Sequence, residues 1–74
     1  MSVADAVIEG MHIFAKTYGR DANVIYLGYD EYNKLRHEKD QQKPHIDHTR
    51  NGEYCAGLKV YRVDFDFHFH VTRL

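Results

Sequence analysis

Tryptophan is absent from the 74 residues, and cysteine and proline occur once each. A lone Cys55 excludes an intrachain disulfide and suits a reducing compartment. No apolar run approaches the roughly 20 residues of a spanning helix. No basic segment followed by an apolar one opens the chain. The expectation is a soluble protein without a membrane partner, located in the cytoplasm. Charge of one sign is also missing: ten Lys and Arg against eleven Asp and Glu leave a formal charge of -1. The uniform positive field that nucleic-acid binders use is therefore lacking, and a nucleic-acid partner is disfavoured. There is no glycine-rich phosphate loop. Gly28, Gly52 and Gly57 stand at element boundaries, where turn geometry accounts for them.

What is present is one domain, residues 1–74. A chain of this size buries only about 60% of its unfolded surface, so a metal or a second subunit often completes the core. Ten aromatics, six Tyr and four Phe, suit strands and contact surfaces.

The pattern predicts a helix over 2–18. Ser2 is a good N-cap with Asp5 three residues on, and Gly19 is a good stop. Val3, Val7, Gly10, Phe14 and Thr17, with Ala6 and Ile13 beside them, form a core-facing stripe. Ala4, Ile8, Met11 and Ala15 form a second one. Two readings stand for it. It is either good helix formers with a stray exposed Ile8, or an interface with another subunit.

Val24-Ile25-Tyr26-Leu27 is apolar on both faces and reads as a strand inside the sheet, covered on both sides. Asp30 is placed to cap a short helix over 31–37, with Tyr29, Tyr32 and Leu35 along its inner edge. Residues 38–53 are polar and read as a mobile loop. Asn51-Gly52 offers a hairpin signal that would pair 45–50 with 53–56.

The clearest period lies at the end. Phe65, Phe67, Phe69 and Val71 alternate with Asp64, Asp66, His68, His70 and Thr72, which is a strand signal. Unbroken, 57–74 would span about 60 Å, so a reversal is expected near 64–67. That predicts a hairpin of 58–63 with 68–73. The fold class is α+β: helix, strand, helix, loop and β-hairpin, with a three- or four-stranded sheet and helices on one face.

Six histidines stand out. His68 and His70, two apart on a strand, share a face, and Asp66 could join them as a ligand set for zinc or another divalent metal. The alternative is a solvated or partner-facing pair. Tyr26, Tyr29, Tyr32, Tyr54 and Tyr61 with Lys34, Arg36, Lys59 and Arg62 suggest an aromatic-basic platform for single strands. Cys55 beside histidines could be a thiol nucleophile, though a strand-start Cys is more often core. Phe65 and Phe67 are interior if the strand continues, and partner anchors if the reversal puts them on a tip.

The run VIYLGYDEYNKL, followed after a polar loop by GLKVYRVDFDFHFHV, resembles a pattern in small phage- and prophage-encoded proteins. In these a helix precedes an I-Y-L-G…E-Y…L strand-helix, and a G-L-K-V-Y-R-V hairpin closes the chain. The resemblance covers most of the chain from Val24 on, and its motifs carry no catalytic residues. It implies a phage accessory protein in the host cytoplasm, either a virion component or an inhibitor of a host system.

No residue pair meets the tests for a catalytic constellation. The expectation is a non-enzymatic interaction module that self-associates as a homodimer or binds a host or viral protein. Its interface would comprise Ala4, Ile8, Met11, Ala15, Phe65 and Phe67. A metal-binding or metal-sensing domain using His68 and His70 is the alternative, and a nucleic-acid-binding module the second.

Overall fold

The computed structural model describes residues 2–74 and has two helices and five strands in the order α1 (Val3–Tyr18), β1 (Val24–Leu27), α2 (Tyr29–Arg36), β2 (Ile46–Thr49), β3 (Gly52–Cys55), β4 (Leu58–Arg62), β5 (Phe69–Thr72). The strands form one mixed sheet ordered β2-β3-β4-β1-β5. The α+β class and the packing of helices against a sheet follow the sequence reading. The strand count does not: there are five strands, because the hairpin signalled by Asn51-Gly52 forms, as Ile46–Thr49 and Gly52–Cys55.

Helix α1 begins and ends where its caps dictate. The Ser2 hydroxyl accepts from the Asp5 amide at 3.1 Å and donates to the Asp5 carboxylate at 2.9 Å. That hydroxyl contact, with Lys43 adding to it, holds the Asp5 carboxyl below its ordinary range. Gly19 closes the helix in the left-handed region at φ 67°, donating to the Ala15 carbonyl, a conformation that only glycine adopts cheaply.

The predicted terminal hairpin is corrected. Residues 58–63 and 68–73 do run antiparallel around a bend at 64–67, but β1 lies between them. It pairs parallel with β4, Ile25 opposite Val60, and antiparallel with β5, Ile25 opposite Val71. VIYL is strongly apolar and takes an interior place with a neighbour on each side. The expectation that both its faces are covered is corrected: helices cover only the face of Ile25 and Leu27, and Tyr26 on the other face is half-buried.

Register then sorts side chains by face. Ile46, Cys55, Leu58, Val60, Ile25 and Leu27 point to one side, where they join Ala4 and Val7 of α1 and Tyr32 and Leu35 of α2 in the core. The two tight hairpins differ in their signals. The β2–β3 turn is Arg50-Asn51, one residue earlier than the Asn-Gly pair suggests, because Thr49 pairs with Gly52. The β3–β4 turn is Ala56-Gly57, both at positive φ, 51° and 83°. That is the backbone a two-residue hairpin requires.

The bend at 64–67 does more than reverse the chain. Helix α2 has no side-chain cap, and its N-cap is Gly28, not Asp30. The orphan donors of its first turn are met by the bend instead. The amides of Gly28, Tyr29 and Asp30 donate to the carbonyls of His68, Phe65 and Asp66, each at 2.9 Å. Glu31 returns the contact, its carboxylate accepting from the His68 amide at 2.9 Å, and Tyr29 donates its hydroxyl to Asp64. At the other end of β5, the Asn23 carboxamide bonds both ways with the Leu74 backbone.

The core-facing stripe of α1 is a mixture of the two predicted ones. Ala4, at 1% exposed, and Val7 are buried, and Val3 and Met11 pack against the core. Ile13, expected at the core, is 56% exposed. The helix is rolled so that Gly10 meets β5: a Cβ there would lie 3.2 Å from Val71 Cγ2.

Candidate functional site

The expected interface residues scatter once the chain folds. Ala4 lies in the core and presents no surface, which corrects that expectation. Met11 packs against the core and Ala15 is half-buried. Ile8, 42% exposed, lines a groove of about 420 Å³ with Met11, His12, Pro44 and His45, between α1 and the 41–45 segment. Ala4, Ile8 and Met11 of the second apolar stripe are thus divided between the core and this groove, and Ala15 belongs to neither. Within it His45 bonds through Nδ1 to the Lys43 carbonyl at 2.9 Å and through Nε2 to Asp47 at 3.0 Å. The backbone bond, then the Asp47 charge, raise its pKa above the ordinary 6.5.

Phe65 and Phe67 sit on the 64–67 bend, and Phe67 is 73% exposed. Beside them lies the unpaired edge of β5. The His68 and Thr72 carbonyls accept from β1-side amides. By antiparallel alternation, Phe69 and Val71 then direct their own N–H and C=O outward. A groove of about 280 Å³ runs along this edge, lined by Gly10, Ile13, Phe14, Tyr18, Phe69 and Val71. Of these Ile13, Tyr18 and Phe69 are exposed, and Phe14 packs on Tyr18 with ring centroids 4.6 Å apart. An open strand edge, an apolar wall and two exposed phenylalanines therefore adjoin one another. The sequence reading missed Ile13 and Tyr18; the signal was their place on the helix flank past Gly10.

The two edges of the sheet differ. At the far edge, β2 has Asp47, His48 and Thr49 all exposed, the charged and polar surface that discourages strand addition. Strand β5, Phe69-His70-Val71-Thr72, carries no Lys, Arg, Asp, Glu or Pro.

The metal set is not brought together. His70 lies against Tyr26, with centroids 6.2 Å apart, and His68 against Phe65 at 6.1 Å. Asp66 belongs to the bend, so the strand period that would align it with His68 is broken. Among the described residues no group of three or more His, Cys, Asp or Glu side chains is placed to hold a metal ion. Cys55 is buried against the core, and burial pushes its thiol up to about 11, so it is no nucleophile near neutral pH.

The predicted aromatic-basic platform divides by face. Tyr32 and Arg62 fall on the helix side, where the guanidinium lies 4.7 Å from the ring centroid. Glu53 ties this corner together, accepting from the Tyr32 hydroxyl, with His48 Nδ1 at 3.4 Å and Arg62 Nε at 3.8 Å. Tyr29, Lys34 and Arg36 belong to α2. Tyr26, Tyr54, Tyr61 and Lys59 gather on the opposite face of the sheet, with His70.

No described helix is long and apolar enough to cross a membrane. Comparison with family models, curated proteins and solved structures gives no match.

Proposed function

We propose that the protein is a non-enzymatic interaction module that self-associates through β5, two copies pairing antiparallel so that their sheets join. The observation that carries this reading is the contrast between the edges. β2 is guarded by polar, charged residues, whereas β5 is uncharged, unbroken by proline and walled by exposed Ile13, Tyr18 and Phe69. An edge without such guards is a template for another strand. A second copy of β5 brings no like charge against the first. Its side chains would cover the α1 flank, and the outward amides of Phe69 and Val71 would gain carbonyl partners. A role as a phage virion component or host-system inhibitor is compatible with such a module and rests on the resemblance alone.

Hydrogen exchange followed by NMR tests the pairing. The Phe69 and Val71 amides are expected to exchange slowly, and to become fast in Ile13→Glu, whose core is untouched. Fast exchange at both amides in the wild-type protein, with His70 protected, would leave β5 a bare edge and defeat the proposal.

A further inference from the structure

We infer that the helix-free face of the sheet is a binding site for single-stranded nucleic acid. Strands β4, β1 and β5 present six side chains there: Lys59 and Tyr61 from β4, Val24 and Tyr26 from β1, His70 and Thr72 from β5. None is a carboxylate. The register sets Tyr61, Tyr26 and His70 in one row across the strands. Their rings keep company along it, with centroids 5.7 Å apart for Tyr61–Tyr26 and 6.2 Å for Tyr26–His70, at interplanar angles of 29° and 23°.

The adjoining row runs Tyr54, Lys59, Val24, Thr72, and the Lys59 ammonium sits 5.7 Å from the Tyr61 centroid. Val24 is buried although it lies outside the core cluster, so the side chains around it close over the sheet and form a continuous surface. Both helices pack on the other face.

A row of rings suits bases, since every base has a π-face and stacking tolerates any sequence. A cation beside that row, with no acid among the six, suits phosphate. The formal charge of -1 describes the whole chain and not this face. The nearest acid in the same rows is Asp47 on β2, two strands from Lys59 and already paired with His45. At the other end Arg73 donates to the Asp21 carbonyl at 2.9 Å, and with Arg20 and Thr72 it lines a neighbouring hollow. Duplex is a poorer fit, because its bases are stacked on one another and unavailable to the rings. This inference is independent of β5 pairing: Tyr61 and Tyr26 stand on the open face, away from the strand edge.

Fluorescence anisotropy of labelled oligothymidylate and oligouridylate of about a dozen nucleotides tests it, with a duplex of equal length as control. The expected result is saturable binding to the single strands that weakens between about 50 mM and about 200 mM salt. Tyr61→Ala should weaken it about tenfold, and Tyr61→Phe should restore it. Lys59→Gln should reduce the salt slope by about one. Circular dichroism establishes that each variant is folded. No binding by the folded wild type, duplex bound as tightly as single strand, or affinity unmoved by Tyr61→Ala would each overturn the inference. The first of these would leave the tyrosine row to a protein partner.

Discussion

The amide of Gly28 donates to the carbonyl of His68 at 2.9 Å, and the two backbones meet with no room for a side chain between them. A Cβ at position 28 would lie 2.7 Å from the His68 nitrogen, 2.8 Å from the Phe65 oxygen and 2.9 Å from Glu31 Oε1. Glycine is required here by close approach, since φ is an ordinary -76°. Through this contact the bend before β5 caps the helix after β1. Two segments forty residues apart in sequence fold as one joint.

Gly28→Ala therefore forces apart backbone that cannot yield as a side chain would. The expected cost is about 2–3 kcal/mol of stability, measured by urea denaturation. Loss should be concentrated at α2 and β5, visible as faster exchange of the Tyr29 and Asp30 amides. A variant as stable as wild type would mean that the bend does not hold the helix.

Cys55 should resist chemistry until the chain unfolds. With its thiol pushed up to about 11 by burial, alkylation by iodoacetamide at neutral pH should be slow in the native protein. It should turn fast across the urea transition, and the two midpoints should coincide. Rapid native alkylation would contradict the placement of β3 against the core.

His45 gives the pH dependence. Its folded pKa is raised, first by the bond to the Lys43 carbonyl and then by Asp47. A raised pKa means that protonation favours the folded state. That contribution is complete below the ordinary 6.5 and is lost as pH rises through the folded value. Proton NMR titration should place His45 above 6.5. Asp47→Asn should lower the value only in part, because the backbone bond remains. A full return to the ordinary value would show that the carboxylate alone sets it.

How much of this was legible in the sequence depends on the range of the forces involved. The α1 caps were legible because Ser2, Asp5 and Gly19 act within one turn. Burial of β1 was legible because VIYL has no polar face to expose, and the reversal at 64–67 because an unbroken strand would not fit. Strand neighbours were not legible: the Phe alternation says which way side chains point, not that β1 inserts between β4 and β5. Alternation alone would put Phe65 and Phe67 in a strand, whereas the expected reversal puts them on a tip; they lie in the bend, and only 69–72 is strand. The β2–β3 hairpin was legible only through Asn51-Gly52, and its register was not, because Ile46 and Cys55 supply one buried residue per strand, too few for a period. The interface stripe failed at Ala4 because rolling α1 by a fraction of a turn, to seat Gly10 on β5, exchanges Ala4 for Ile13 at the core. Tyr26, Tyr54, Tyr61 and Lys59 were found by residue type, yet only pairing shows that they share a face without Tyr32 or Arg62.

The measurement that bears most directly on the β5 interface is the mass in solution by light scattering at micromolar concentration, for wild type and Ile13→Glu. Pairing through the unguarded edge predicts twice the 8.7 kDa of one chain for the wild type and a single chain for the variant, with circular dichroism unchanged. A wild-type protein that stays at 8.7 kDa, or a dimer that Ile13→Glu leaves intact, would contradict it.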